Sequence, residues 1–424
     1  GLALFAACDR SDETPTGENA GLPLQIRVSA GSFASDSPET RATEAGYVTS
    51  FTDGDRIGIT VVNSSNAIVQ DNVQYVYNSA AGCFVAASGN VYALAGASYL
   101  AYYPYAAAMN GKKTPADIVA AFTPKPNQSA YGDYTASDLL TGYGTVSGST
   151  LNIPFTHALS LLEISLPKQK YSFQSGDYEA NVADPVFTIA GGTIPYMDAA
   201  NSVYRCIVKP GNISISGSYR TSAQTINWSK TLTMTAGKYK RLNVNHAGSG
   251  TAISVTASAT FALGDYYPVA NEPACAIGVV FQISNGGANG KIIALNESPT
   301  PLQYCSVDNY YWNYWSVDDG SANQAAVPDL NYFPAYKYCH DYAVRYTDWY
   351  LPSFNECTSI YSQLSVINGK IARIACAYII TGERYWTSSH VNNYSNGYCI
   401  DFSNESQIFT DLPLSRKVRA ARNF

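Results

Sequence analysis

The sequence predicts a mainly β protein that closes with an α+β unit. Three observations carry this. Only 14% of the 424 residues are charged, against the roughly one quarter usual in globular chains. Short runs that alternate apolar and polar residues recur between turn residues over the first 250 or so positions, which is the period of half-buried strands. Beyond about residue 259 the character changes: four of the five Trp lie there, among dense Tyr, and helical spacings join the strand-like runs.

In chain order, Leu24, Ile26 and Val28 alternate with Gln25, Arg27 and Ser29 and predict a first strand. Asp53-Gly54 supplies a turn, after which Ile57, Ile59 and Val61 alternate into the next strand. "VQYVYN", "ASYLAYYPY" and "STLNIPF" read as further strands, whereas 106–140, with Pro115, Pro124 and Pro126, shows no sustained helical period. In "LNIPFTHALSLLEISLP", Leu162, Ile164 and Leu166 point one way and Glu163 and Ser165 the other. "VYRCIVKP", "GNISISGSY" and "KTLTMTAGKYKRLNVNHAG" continue the series, and small, polar residues 248–258 predict a linker. "AIGVVFQIS" and "GKIIALNES" are strand-like, and Tyr338, Tyr342 and Tyr346 recur at intervals of four, predicting one face of a helix. "DWYLPSFNEC" reads as a corner. Pro352 ends an extended segment, and Ser353 with Glu356 has the spacing of a capping box, in which each side chain reaches the other's backbone N–H, with Ile360 and Leu364 continuing a helical stripe one and two turns beyond Glu356.

Composition excludes several functions. The net charge of −6 and the lack of a basic stripe remove the electrostatic footprint of nucleic-acid binding. No apolar run approaches the 20 or so residues needed to span a bilayer. There is no G-x-S-x-G, H-E-x-x-H or P-loop, and Cys339 and His340 are neighbours that would diverge on a helix. No enzyme, cofactor or metal site is expected. Asp318, Asp319 and Asn323 could face a cation but lack EF-hand spacing and read as a turn. His157 reads as a satisfied, half-buried strand histidine. Of nine cysteines, six (Cys275, Cys305, Cys339, Cys357, Cys376 and Cys399) fall in the last 150 residues, and disulfides and buried thiols both remain open for them.

The opening "GLALFAAC" resembles a bacterial lipobox, with Ala6, Ala7 and Cys8 in place and Phe5 where Leu is usual. A polar tether follows to residue 21. The resemblance implies diacylglycerol on Cys8, which would anchor a precursor to the outer membrane.

"TRATEAGYVTSFTDGDRIGI", "PFTHALSLLEISL" and "TAGKYKRLNVN" occur in an order that resembles the fimbrillin-like proteins, the type V pilins of Bacteroidales. The resemblance implies two transthyretin-like β-sandwich domains, at 22–157 and 158–248. "LGDYYP", "WYLPSFNE", "YWTSS" and "KVRAAR" resemble a C-type-lectin-like domain, at 252–424, though the calcium-lectin triplets are absent and sugar binding does not follow. The pilin resemblance further implies that a trypsin-like protease cuts after an Arg, here between Arg41 and Ala42 in "PETRATEAG". Removal of the first strand would open a groove for a donor strand from a stalk pilin. The closing "KVRAARNF", with Val418 and Ala420 inward and Lys417 and Arg419 outward, reads as a strand of the lectin-like unit rather than a free donor. The implied role is a tip subunit that adheres to a host or bacterial surface protein or glycan. The competing reading is a non-polymerising surface glycan-binding lipoprotein. Tyr310, Tyr311, Trp312, Tyr314 and Trp315 are the candidate contact surface, because so many aromatic rings in six positions cannot all point inward.

Overall fold

The computed structural model describes residues 23–36, 47, 49–174, 176–248, 250–307, 315–390, 396–411 and 414–424. It is mainly β, as the alternating runs predict. The first strand, β1 (Gln25–Ala30), is followed by β2 (Ala34–Ser35), β3 (Arg56–Val62), β4 (Ile68–Asn78), β5 (Cys83–Ala86), β6 (Ser98–Tyr103), β7 (Leu140–Ser147) and β8 (Thr150–His157). Gly54 takes φ 91° in the turn before β3, a conformation that costs a residue with a Cβ.

All of these except β2 form one continuous ladder in the order β1-β5-β4-β3-β6-β7-β8, which closes into a barrel. Two stacked sheets were the expectation for this unit. The ladder closes instead because β1 bonds on both edges, parallel to β8 and antiparallel to β5. Its interior holds Ile57, Ile59, Val61, Tyr75, Phe84, Leu151, Ile153 and Phe155, all buried. The excursion between β6 and β7 departs from the sequence expectation. It contains α1 (Pro115–Ala121) and α2 (Tyr131–Thr135). In α1, Pro115 sits at the first turn and Thr114 and Asp117 make a reciprocal capping box. The helix is too short, with only Ile118 buried, to show a period.

The chain leaves the barrel at His157 and enters β9 (Ser160–Ser165), β10 (Lys168–Phe173), β11 (Gly176–Asn181), β12 (Ala183–Ile189), β13 (Tyr196–Asp198), β14 (Val203–Val208), β15 (Gly211–Arg220), β16 (Thr225–Met234), β17 (Lys238–Asn243) and β18 (Ile253–Ser254). One sheet runs β13-β14-β9-β17-β2, another β12-β15-β16. They share a core of Leu162, Ile164, Tyr204, Cys206, Ile213, Ile215, Tyr219 and Met234. Residues 248–258 are not a free linker. Ile253 pairs in parallel with Tyr171, and Val255 N–H donates to Ser172 O at 2.9 Å, because its apolar residues find the edge of β10.

The remaining unit contains the sheet β19 (Tyr266–Tyr267), β20 (Gly278–Ser284), β21 (Asn289–Glu297) and β27 (Arg419–Asn423). Further ribbons come from β22 (Leu302–Gln303) with β26 (Ser415–Arg416), and from β23 (Arg384–His390), β24 (Asn396–Asp401) and β25 (Ser406–Asp411). Helices α3 (Gly320–Ala325), α4 (Pro334–Asp341), α5 (Phe354–Tyr361) and α6 (Leu364–Ile371) pack alongside. The corner at 348–357 carries both halves of the capping box. Glu356 is fully buried, accepts from Ser353 N–H at 2.7 Å and Tyr350 Oη at 3.1 Å, and pairs with Lys291.

Three expectations change here. Helix α4 stops at Asp341, so Tyr346 lies off it; the buried face is Ala335, Tyr336 and Cys339 rather than a tyrosine stripe. Leu364 begins a separate helix after a break at Ser362 and Gln363, so it does not extend the face of Ile360. Val418 and Ala420 are inward, but Arg419 is also buried, because it pairs with Glu297 at 2.9 Å and donates to the Ala294 and Tyr378 carbonyls. A buried guanidinium is tolerated only when so paired.

This unit is fastened to the middle of the chain. Ala375 N–H donates to Val182 O at 2.9 Å, and Arg373 and Arg220 both contact the Asp184 carboxylate. The Arg345 guanidinium lies 3.8 Å from the Phe173 ring centroid.

None of the eight described cysteines is in a disulfide. Burial pushes Cys206, Cys275 and Cys376 up to about 12. Thiolate is the reactive form. Titration of the native protein with a disulfide reagent at pH 8 should therefore reach half-buried Cys83 first, and the seven buried thiols only on unfolding. Fast reaction of several thiols would contradict this packing.

Candidate strand-exchange site

The site is the seat of the first strand. Along β1, Gln25, Arg27 and Ser29 are exposed while Ile26 is 2% exposed and points into the barrel. On the β8 side the register covers six pairs, from Gln25 opposite Thr150 to Ala30 opposite Phe155. On the β5 side it covers one, Ile26 opposite Phe84. The ladder is therefore firm on one edge and thin on the other. Leu24 N–H donates to Val91 O at 2.8 Å, and Gly31 N–H donates to Phe155 O at 3.2 Å.

The segment then crosses to the next sheet. Phe33 stacks on His157 with ring centroids 3.7 Å apart. His157 is buried, with Nδ1 2.9 Å from Asp138 Oδ1 and Nε2 2.9 Å from Gly31 O. It is a satisfied structural histidine, and one of its partners belongs to the first segment. Ala34 N–H donates to Gly237 O, and β2 extends the edge of β17 in parallel. Asp36 lies 2.9 Å from Lys240 Nζ and 3.9 Å from Lys238 Nζ. The hydrogen bond from Lys240 holds the Asp36 carboxyl below the usual carboxylate range.

Tyr47 makes a second set of contacts. Tyr47 Oη donates to Glu163 Oε2 at 2.6 Å, and its ring lies 4.6 Å from Tyr239 and beneath Arg205. Glu163 is 1% exposed and also takes Arg205 Nε at 3.0 Å and Arg241 Nε at 2.5 Å; Arg205 reaches Asp198 at 2.7 Å. Burial, with the Glu163 carboxylate second, pushes the Tyr47 phenol up. Thus residues 24–36 hold two sheets on one side of 37–46, and Tyr47 holds a buried ion cluster on the other.

The sequence-derived sites fall unevenly. Cys8, Arg41 and Ala42 lie outside the described residues, as do Tyr310, Tyr311, Trp312 and Tyr314. Trp315 is described and half-buried. Asp319 caps α3 by accepting from Ala322 N–H, Asp318 accepts from Asn355, and Asn323, inside α3, bonds Ser316 and Ser388, so where a turn was expected "SVDDGSAN" starts a helix. Among the described residues no three His, Cys, Asp or Glu side chains are grouped to hold a metal. Cys339 is buried and His340 is exposed, so the two do not meet as a reactive pair. The Glu163–Arg205–Tyr47 cluster and the His157–Asp138 pair were not read from sequence. The available signal was a charge inside each of two apolar strands, "LLEIS" and "VYRCIV".

Residues 40–271, more than half of the chain, match the family model described as fimbrillin-like. The chain belongs to the fimbrillin-like family. This fimbrillin-like chain is also similar to a curated protein of Bacteroides ovatus named "Putative fimbrium tip subunit Fim1C", with 25% identity over 94% of this chain and 92% of that protein. A crystal structure of a fimbrial protein from Bacteroides ovatus covers 95% of this chain and 99% of its own, at 22% identity and a TM-score of 0.45. A second crystal structure, of a "putative cell adhesion protein" from Bacteroides ovatus, covers 55% of this chain and 95% of its own, at 17% identity and a TM-score of 0.35.

Proposed function

We propose that this chain is a tip subunit of a fimbrium, exported as a lipid-anchored precursor through Cys8 and assembled by donor-strand exchange. A β-barrel unit at 22–157 and a transthyretin-like sandwich at 158–248 carry a C-type-lectin-like domain at 252–424 that makes the adhesive contact. A trypsin-like protease cuts at Arg41–Ala42, the segment holding β1 leaves, and a strand from a stalk pilin takes its seat.

The single observation that supports this best is the position of β1. It is the barrel strand that precedes the proposed cut, and it lies between β5 and β8, so its loss opens a strand-wide gap while the other six strands stay in one ladder. A strand added there gains backbone bonds along β8 and a seat for alternate side chains. The tip position is supported by the curated relative's name. Strand β27 itself pairs with β21 on one edge and by a bridge to Tyr350 on the other, so it is built into its own unit. Adhesion through Tyr310–Trp315 is carried over as a proposal from their density of aromatic side chains.

Amino-terminal sequencing of protein recovered from assembled fimbriae should begin at Ala42. A start ahead of β1 on assembled material would overturn the exchange reading and favour the surface glycan-binding lipoprotein.

A further inference from the structure

The seat of the first segment has chemistry at one end that a plain apolar strand would not satisfy. We infer that the strand accepted by this subunit carries, beyond its alternating apolar residues, an aromatic ring placed to stack on His157 and a carboxylate placed to meet Lys238 and Lys240. The inference rests on the donor-strand reading and names the partner that reading requires.

The observations are geometric. Over the barrel, period-two alternation alone sets which residues enter: Leu24 and Ile26 are buried and Gln25 and Arg27 are not. Such a pattern reads almost the same in either direction and tolerates slippage by two residues. Phe33 and Asp36 break that degeneracy. Phe33, 6% exposed, covers the His157 ring at 3.7 Å, seven residues after Ile26. Asp36 sits between two ammonium groups at the edge of β17, three residues further on. With the segment gone, His157 loses the Gly31 carbonyl on Nε2 as well as its stacking partner. Lys238 and Lys240 then flank an unpaired strand edge without their acid, although Lys240 keeps the Thr233 carbonyl at 2.9 Å. An incoming strand that supplies ring and carboxylate at the same offsets restores every one of these contacts. It also fixes polarity, since a reversed strand would place its acid over the apolar barrel residues and away from Lys238 and Lys240.

The test uses the full chain with a site-specific protease sequence substituted within residues 37–46, so that cutting does not depend on which Arg is the natural site. After cutting, the released segment is removed in mild denaturant and a labelled synthetic peptide of residues 22–36 is added back. Binding of this peptide tests the donor-strand reading itself: no binding means there is no exchangeable seat. Given binding, peptides with Phe33→Ala and Asp36→Lys test the inference. The Phe33→Ala peptide should bind at least about tenfold more weakly, from lost ring burial and stacking. The Asp36→Lys peptide should weaken about three- to tenfold, in line with the value of a partly exposed ion pair plus repulsion, and the loss should shrink at high salt. A Lys240→Glu protein, altered at a half-exposed side chain, should recover the Asp36→Lys peptide while losing affinity for the original. Equal binding of all three peptides, or no rescue by Lys240→Glu, would overturn the signature while leaving the seat intact.

Discussion

Replacing Ile26 by Asp should destabilise the uncut protein by about 4 kcal/mol, because an unpaired carboxylate enters an apolar barrel. Ile26 is 2% exposed and packs in the cluster of Ile59, Phe84, Leu151 and Phe155. Ser29→Asp, on the exposed face of the same strand, should change stability by less than about 0.5 kcal/mol. Urea titration followed by tyrosine fluorescence separates the two. The contrast matters more than either number, because it tests the inward–outward register of β1 against β8. Equal effects would mean that the strand does not sit in the barrel as described. If the strand is exchanged during assembly, the Ile26→Asp defect should also vanish once a sound donor strand occupies the seat.

Glu163→Ala should cost about 3–5 kcal/mol, the usual penalty for breaking a buried ion pair from one side. The carboxylate is shared by Tyr47, Arg205 and Arg241. Its removal leaves the buried Arg205 guanidinium near the more exposed one of Arg241, with Asp198 as the remaining acid at 2.7 Å from Arg205. Removing Arg205 as well should relieve part of that cost, so the double variant should be less unstable than the sum of the singles. Tyr47→Phe should be milder, about 1.5–3 kcal/mol, since only one hydrogen bond to a charged group is lost. An additive double variant would show that these residues do not act as a unit.

Much of the fold was legible because strands leave a short-range imprint. The alternation in "LQIRVSA", the turn at Asp53-Gly54 and the capping box at Ser353 and Glu356 each involve residues within a few positions of one another. What was not legible depends on distant partners. Closure of the barrel needs Gln25–Ala30 to find Thr150–Phe155, which no local pattern encodes. Arg419 looks outward by alternation, yet it is drawn inside by Glu297, 122 positions away in sequence. Residues 248–258 look like a linker by composition, because two apolar residues among small ones do not announce a strand edge such as that of β10. The site divided in the same way. The resemblance to pilins directed attention to the segment before Arg41, but the contacts that give the seat its asymmetry, Phe33 on His157 and Asp36 beside Lys240, are tertiary.

Hydrogen exchange along β8 tests the central claim most directly. In the uncut protein the amides of β8 that face β1 should be protected, since the two strands pair along Leu151–Phe155. After cutting within 37–46 and removal of the first segment, those amides should exchange rapidly, while β3 and β4, paired with each other elsewhere in the barrel, remain protected. Addition of a donor-strand peptide should restore protection to β8. Unchanged protection of β8 after the segment has left would contradict the account, because it would mean that no seat opens for a partner's strand.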